Sequence, residues 1–169
     1  YNIPQCTGHP ILPETVAILS QEPRVLGIKD SSGILPNFQQ LLTIKGARPD
    51  FRVLQGDERV MAACMLMGGD GLIPGAGNVQ PRYFVELIRA AGRGDVQECR
   101  RLQERIFDLW KLFAYGRGLS ALYAACGLIG IGSGRAVEPW LSSDPGQRQA
   151  IEDILHRHGL LAEAVAGKR

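Results

Sequence analysis

Lys29 is the residue whose position in this sequence most directly indicates covalent chemistry. It follows a short apolar run that predicts a buried strand over Arg24–Ile28, and the polar stretch Asp30–Gly33 after it predicts a turn. A lysine at the carboxyl end of a buried parallel strand lies half inside the protein and half at the mouth of a site. Burial disfavours its ammonium form and leaves a free amine that can act as a nucleophile. The same pattern also fits a surface lysine that closes an ordinary strand.

Three further groups of residues stand where other strands are expected to end. Tyr1 supplies a phenol, Gly56-Asp57-Glu58 supplies two carboxylates, and Pro74–Asn78 is a glycine-rich loop. The catalytic groups of (β/α)8 barrels come from the carboxyl ends of the strands. Four such strand ends in succession therefore favour an active site.

Strands and helices alternate along the chain, which predicts a parallel sheet that positions these groups. The predicted strands are short and apolar, and the helices carry apolar residues three and four positions apart. This order fits either a barrel or an open doubly wound sheet. The predicted elements include helices 13–20, 36–46, 95–113, 119–126 and 147–158, strands 24–28, 51–54 and 71–73, and a loop over 5–10.

The composition is that of an ordinary globular domain, with 45% hydrophobic and 21% charged residues among 169. A net charge of +2 implies no polyanionic partner, so nucleic acid is not expected, and no apolar segment approaches the ~20 residues of a membrane span. No pair of cysteines has the spacing of a zinc or redox motif, and no metal site is expected. Cys64 and Cys99 are predicted to be core thiols, which favours a reducing, cytoplasmic setting.

Several motifs together resemble the dihydrodipicolinate synthase / N-acetylneuraminate lyase family of class I Schiff-base aldolases. They are Tyr1-Asn2-Ile3-Pro4 with Thr7-Gly8, the segment Gly27–Gly33, Gly56-Asp57-Glu58, and Gly68–Ile73 leading to Asn78. The resemblance implies an α/β fold, a (β/α)8 TIM barrel, of which this chain represents roughly strands 5–8 plus C-terminal helices. Residues 1–94 would then form the second half of the barrel, and residues 95–169 a C-terminal helical region. The first four strands are absent from the chain, which begins without Met and is interpreted as a fragment.

The resemblance also assigns roles to individual residues. In the family, the lysine at the position of Lys29 forms a Schiff base with pyruvate or another 2-keto acid. The residue at the position of Tyr1 relays protons and contacts the keto-acid carboxylate, and the backbone around Gly56 and Ile73 lines the pocket. The covalent imine serves as the electron sink, so no cofactor is expected. A complete protein is expected to be a homo-oligomer, a dimer or a tetramer, that acts on a small 2-keto acid.

The acidic pair after Gly56 and the glycine-rich loop each allow two interpretations. Asp57 and Glu58 are candidates to bind substrate, and they equally suit a helix N-terminus, where acidic side chains complement the dipole. Gly75 and Gly77 either make a tight turn or expose amides that hold an anion.

Cys6 bears on the choice of substrate. Dihydrodipicolinate synthases typically carry an arginine at this position for a dicarboxylate substrate, and a thiol offers neither charge nor a bidentate fork. Cys6 is therefore placed among the substrate-binding residues, and it favours an aldolase or dehydratase acting on a 2-keto-3-deoxy sugar acid. Dihydrodipicolinate synthase, which condenses pyruvate with aspartate semialdehyde, is the alternative, and a noncatalytic half-barrel fragment is another.

Overall fold

The computed structural model describes residues 1–116, 119–140 and 142–161 as an α/β structure. Its strands are β1 (Gly27–Asp30), β2 (Arg52–Gln55) and β3 (Gly71–Leu72). Its helices are α1 (Pro4–Thr7), α2 (Pro13–Leu19), α3 (Leu35–Ala47), α4 (Met61–Leu66), α5 (Pro81–Gly92), α6 (Val96–Trp110), α7 (Ser120–Leu128) and α8 (Pro145–Arg157). Short 3₁₀ turns cover Glu58–Val60, Ala76–Asn78 and Lys111–Tyr115. None of these helices is long and apolar enough to cross a bilayer.

The three strands form one parallel sheet in the order β1-β2-β3. Lys29 of β1 lies beside Leu54 of β2, and Gln55 of β2 lies beside Leu72 of β3. An isolated parallel bridge between Asn2 and Asp30 adds the N-terminal segment next to β1. The predicted parallel sheet is confirmed. The strand that was expected to end at Tyr1 contributes only this bridge. All four segments therefore present their carboxyl ends at the same edge.

The strand predicted over Arg24–Ile28 was wrong in its position. β1 begins at Gly27, and Leu26 has 70% of its surface exposed. The cause is a long-range contact, because the Arg48 guanidinium donates hydrogen bonds to the carbonyls of Ser20 and Val25, at 2.6 and 2.9 Å. The Val25 carbonyl is thus bonded to a side chain rather than to a neighbouring strand, and pairing with β2 begins at the Leu26 carbonyl, which accepts a hydrogen bond of 2.9 Å from the Arg52 amide. Lys29 consequently lies within the strand rather than after it.

Other element boundaries differ from the predicted ones by a few residues. β3 ends at Leu72, so Ile73 is outside it, and the loop predicted over residues 5–10 begins as the short helix α1. Gly8 ends α1 in the left-handed conformation with φ of 73°, which suits glycine. The predicted helix 95–113 ends at Trp110 and continues as a 3₁₀ turn.

Two hydrophobic clusters support the sheet edge. One lies against β1 and β2 and contains Phe38, Phe51 and the predicted core thiol Cys64, each fully buried. The other contains residues of α4 to α8, among them the second predicted core thiol, Cys99, also fully buried. This second cluster contains residues from both sides of position 94, and the proposed division there stays a prediction.

A polar cluster attaches the end of α8 to α5 and α6. The side chain of His158 is 5% exposed, and its Nδ1 lies 3.1 Å from the Tyr83 hydroxyl. Arg105 donates a hydrogen bond of 2.6 Å to the same hydroxyl oxygen. Asp108 Oδ2 lies 3.2 Å from His158 Nε2, without the alignment of a hydrogen bond. Burial lowers the pKa of His158 below its ordinary value of 6.5, which favours the neutral imidazole.

Candidate active site

Lys29 and Tyr1 lie side by side at the carboxyl edge of the sheet. The Lys29 Nζ is 4.0 Å from the centroid of the Tyr1 ring. The Ser31 hydroxyl donates a long hydrogen bond of 3.4 Å to the Tyr1 hydroxyl oxygen. Lys29 is half-buried, and no hydrogen bond or ion pair to its amino group is present among the described residues. The amine and the phenol predicted from the sequence are thus brought together.

Asp30 fixes the two segments that carry these groups. It is fully buried, and its carboxylate accepts a hydrogen bond of 2.6 Å from the Asn2 side-chain amide and one of 2.9 Å from the Ser32 hydroxyl. Asn2 in turn accepts a hydrogen bond from the Ile11 amide at 2.9 Å. Because Asn2 follows Tyr1 and Asp30 follows Lys29, this contact sets the distance between the phenol and the amine. The sequence predicted Asp30 only as a turn residue, and the role of Asn2 was missed.

Gly56 leaves the space that the Lys29 side chain occupies. A Cβ at this position would collide with Lys29 Cε and with the Ser31 hydroxyl. Gln55 fixes the backbone turn at Gly56 and Asp57. Its side-chain oxygen accepts hydrogen bonds from the amides of both residues, each at 2.7 Å. Gln55 is buried and donates to the Cys64 sulfur at 3.0 Å, while burial raises the pKa of that thiol to about 11. Cys64 is therefore a structural thiol.

Asp57 caps the 3₁₀ turn that follows Gly56. Its carboxylate accepts a hydrogen bond from the Arg59 amide at 3.0 Å and two from the Arg59 guanidinium, at 2.9 and 2.6 Å. The predicted helix-terminal role of this acidic residue is thus visible, whereas a substrate contact stays a prediction.

Glu58 is buried and binds the glycine-rich loop. Its carboxyl oxygen accepts a hydrogen bond of 3.0 Å from the Ala76 amide. Burial raises the pKa of Glu58, because a charged carboxylate loses its hydration there. Gly75 and Gly77 lie in this loop, and a Cβ on Gly77 would collide with Pro74, as expected for a tight turn.

These side chains surround a cavity of about 800 Å³. Its lining includes the predicted site residues Tyr1, Lys29, Gly56, Asp57, Glu58 and Ile73, together with Ser31, Arg59, Gly75, Asn78, Trp110 and Phe113. Cys6 is exposed on α1 and is not part of this lining as the described residues form it. Its proposed substrate contact stays a prediction.

Arg59 and Trp110 are cavity residues that the sequence did not single out. The Arg59 guanidinium carbon lies 5.3 Å from the centre of the Trp110 ring. Trp110 ends α6, which the sequence placed in a separate helical region, so its approach to the loop after β2 depends on tertiary packing. An arginine directly after an acidic pair in a predicted site loop was the available signal.

The arrangement combines an amine, a phenol and a concave polar site. Within residues 1–116, 119–140 and 142–161, no group of three or more metal-ligating side chains comes together. Reactive groups at the carboxyl ends of parallel strands are the arrangement of (β/α)8 barrel enzymes. The fold and the site therefore define an α/β protein of barrel type with a candidate Schiff-base lysine.

The sequence places the chain more narrowly. The model of the dihydrodipicolinate synthetase family matches residues 1–158, and the chain belongs to that family. It is 32% identical to the 4-hydroxy-tetrahydrodipicolinate synthase of Kosmotoga olearia over 162 residues, which cover 95% of this chain and 55% of the relative. The chain spans about half the length of the curated relatives it matches.

Solved structures confirm the predicted fold class. The dihydrodipicolinate synthase of Bacteroides thetaiotaomicron superposes with a TM-score of 0.84 at 32% identity, over 93% of this chain and 54% of that one. A prophage protein of the dihydrodipicolinic acid synthase family from E. coli K12, solved in complex with pyruvate, gives a TM-score of 0.87 at 27% identity, over 95% and 55% of the two chains. The α/β architecture is thus part of a (β/α)8 TIM barrel.

Proposed function

We propose that this chain supplies the Schiff-base lysine of a class I aldolase or lyase that acts on pyruvate or another 2-keto acid. The observation that carries the proposal is the 4.0 Å approach of the Lys29 amine to the Tyr1 ring inside the cavity. Family membership and the pyruvate complex of the E. coli relative support it. The imine is itself the electron sink, so the proposed reaction needs no cofactor.

The proposed chemistry uses the two residues in sequence. The neutral Lys29 amine adds to the keto carbon, and loss of water gives an iminium that joins Nζ to that carbon. A proton leaves the adjacent carbon to give an enamine, which attacks an aldehyde carbon. In the cleavage direction the same carbon–carbon bond breaks and its electron pair returns to the iminium. The Tyr1 hydroxyl protonates the carbinolamine hydroxyl, which leaves as water, and it carries a proton to the aldehyde oxygen in condensation or from the corresponding hydroxyl in cleavage.

Within this class we propose a 2-keto-3-deoxy sugar acid or a similar hydroxylated keto acid as the substrate. Cys6 stands where dihydrodipicolinate synthases typically carry an arginine, and the cavity lining offers polar partners for hydroxyl groups in Ser31, Asp57 and Asn78. Dihydrodipicolinate synthase activity is the second candidate, because the curated relatives carry the name 4-hydroxy-tetrahydrodipicolinate synthase.

A homo-oligomer, either a dimer or a tetramer, in the cytoplasm is the proposed assembly and setting of the whole protein. The remaining alternative is a noncatalytic half-barrel that serves as a binding or assembly module.

A substrate panel on the natural polypeptide at its full length tests this proposal. The panel contains pyruvate with aspartate semialdehyde, N-acetylneuraminate and several 2-keto-3-deoxy acids. Turnover of a 2-keto-3-deoxy acid that is abolished in Lys29→Arg is the expected result, because arginine stays protonated and cannot form the imine. Efficient condensation with aspartate semialdehyde, at a kcat/KM of about 10⁴ M⁻¹s⁻¹ or more, would establish the second candidate instead. Absence of any lysine-dependent turnover would leave the noncatalytic alternative.

A further inference from the structure

Arg59 is a cationic side chain in the cavity that the proposed Schiff-base chemistry leaves unused. It lies in the 3₁₀ turn after Gly56, and its side chain is 47% exposed. Nε and Nη2 bind the two oxygens of Asp57. Among the described residues, Nη1 has no hydrogen-bond partner, so part of the guanidinium fork is available at the cavity wall.

Two contacts hold this guanidinium in place before any ligand arrives. Asp57 is 6% exposed, and its carboxylate accepts hydrogen bonds from Nε and Nη2 of Arg59. Trp110 lies 5.3 Å from the guanidinium carbon, within the range of a cation–π contact. A cation held in this way loses little conformational freedom when it binds a ligand, which favours a role in recognition.

The other charges of the lining leave room for an anion. Among the described residues, the charged side chains that line the cavity are Lys29, Arg59, Asp57 and Glu58. Asp57 pairs with the Nε and Nη2 side of Arg59, and Glu58 accepts a hydrogen bond from the Ala76 amide. Neither carboxylate binds Nη1, so this side of the guanidinium is open to a negative group.

We propose that Arg59 is the specificity-determining residue of this site. It binds a negatively charged group, a carboxylate or a phosphate, at the end of the aldehyde substrate remote from the reacting carbon. Planar guanidinium groups suit both anions because two parallel N–H donors match two oxygens. The inference rests on the proposed aldolase function and narrows its substrate class to aldehydes with an anionic terminus. Arg59 would then supply, from the loop after β2, the charge that is missing at Cys6.

Matched pairs of aldehydes test this inference on the full-length protein with pyruvate as the first substrate. Glyceraldehyde 3-phosphate is compared with glyceraldehyde, and succinic semialdehyde with butanal, so that phosphate and carboxylate are examined separately. We expect the wild type to favour the charged member of at least one pair by about 10²-fold in kcat/KM. Which pair shows the preference identifies the anion.

Two variants and a control locate the effect. Arg59→Gln is expected to abolish the preference, because kcat/KM falls much further for the charged aldehyde than for the uncharged one, while Arg59→Lys retains part of the preference. Arg100→Gln is the control, since Arg100 is 82% exposed on α6, pairs with Glu104 and does not line the cavity. Equal losses for charged and uncharged aldehydes in Arg59→Gln, or a wild type without any preference, would overturn the inference.

The pyruvate half-reaction separates this inference from the function on which it rests. Borohydride reduction in the presence of pyruvate alone is expected to label Lys29 equally in the wild type and in both Arg59 variants. Labelling of Lys29 without discrimination between the aldehydes refutes only the role of Arg59. Absence of labelling in the wild type refutes the proposed function itself.

Discussion

The amino group of Lys29 lies 4.0 Å from the centre of the Tyr1 ring, and the two residues come from segments joined by the bridge between Asn2 and Asp30. The amine reaches this position because Gly56, on the neighbouring strand end, has no side chain to oppose it. The relationship pairs the proposed nucleophile with the proposed proton donor at the edge of the sheet where barrel enzymes carry their chemistry.

Replacing Tyr1 by phenylalanine tests the proton-transfer role. Tyr1→Phe in the full-length protein keeps the ring beside Lys29 and removes only the hydroxyl, so kcat is expected to fall by roughly 10²–10⁴. Steady-state kinetics with the preferred substrate measures the change. Tyr115→Phe is the control, because Tyr115 does not line the cavity and its loss should leave kcat unchanged. Wild-type turnover in Tyr1→Phe would refute the role.

A methyl group at position 56 tests whether the cavity wall positions the lysine. Gly56→Ala is expected to slow imine formation by at least about tenfold, because the new Cβ displaces Lys29 Cε and the Ser31 hydroxyl. The rate of trapping of pyruvate by borohydride reports this step. The control is Gly46→Ala in α3, where nothing lies within 4 Å of the added carbon and a helical alanine should stabilise the fold by about 0.5–1 kcal/mol. Equal trapping rates in the two variants would contradict the positioning role of Gly56.

His158 is expected to make stability depend on pH. Its pKa is lowered by burial, so the unfolded chain binds a proton near pH 6.5 before the folded chain does. The free energy of unfolding should therefore be highest above pH 6.5 and fall as the pH drops from 6.5 through the folded-state pKa. The charged groups around the ring are Asp108, Arg105 and Arg157, with the Tyr83 hydroxyl on Nδ1, and Lys111 pairs with Asp108.

Denaturant unfolding at pH 7.5 and 5.5 measures this dependence. His158→Gln should remove part of the difference between the two pH values, because the glutamine does not titrate. His156→Gln on the same helix is the matched control, since His156 is exposed and should leave the difference intact. An unchanged pH dependence in His158→Gln would show that another group is responsible.

The sequence predicted the pair Tyr1 and Lys29 as candidate catalytic residues, but it predicted few of the contacts that position them. A lysine after an apolar run and a glycine before an acidic pair are local signals. Gly56 follows β2 as expected, whereas Lys29 lies within β1 rather than after it, although it still lines the cavity. Asn2, Gln55 and Arg59 act through contacts with partners from other elements or through side-chain geometry at a turn, which periodicity does not contain. Their identification required the fold.

The misplaced strand over Arg24–Ile28 also reflects a contact between residues that are distant in the sequence. Val25 and Leu26 have the apolar character of strand residues, and their pattern alone favours burial. Arg48, more than twenty residues further along, binds the Val25 carbonyl, so pairing with β2 begins only after Val25. Trp110 reaches the cavity through the packing of α6 against the loop after β2, although the sequence placed it in a separate helical region. A tertiary contact thus decides the outcome in both cases.

Identification of the residue that pyruvate modifies tests the central claim most directly. The full-length protein is incubated with pyruvate, reduced with borohydride, digested and analysed by mass spectrometry, with Lys29→Arg and the control Lys45→Arg treated in parallel. Lys45 is bound to Asp70 and the Gly68 carbonyl outside the cavity. The account predicts a reduced pyruvyl adduct on the peptide that contains Lys29, retained in Lys45→Arg and lost in Lys29→Arg. An adduct on another lysine with Lys29 unmodified, or no adduct in the wild type, would contradict it.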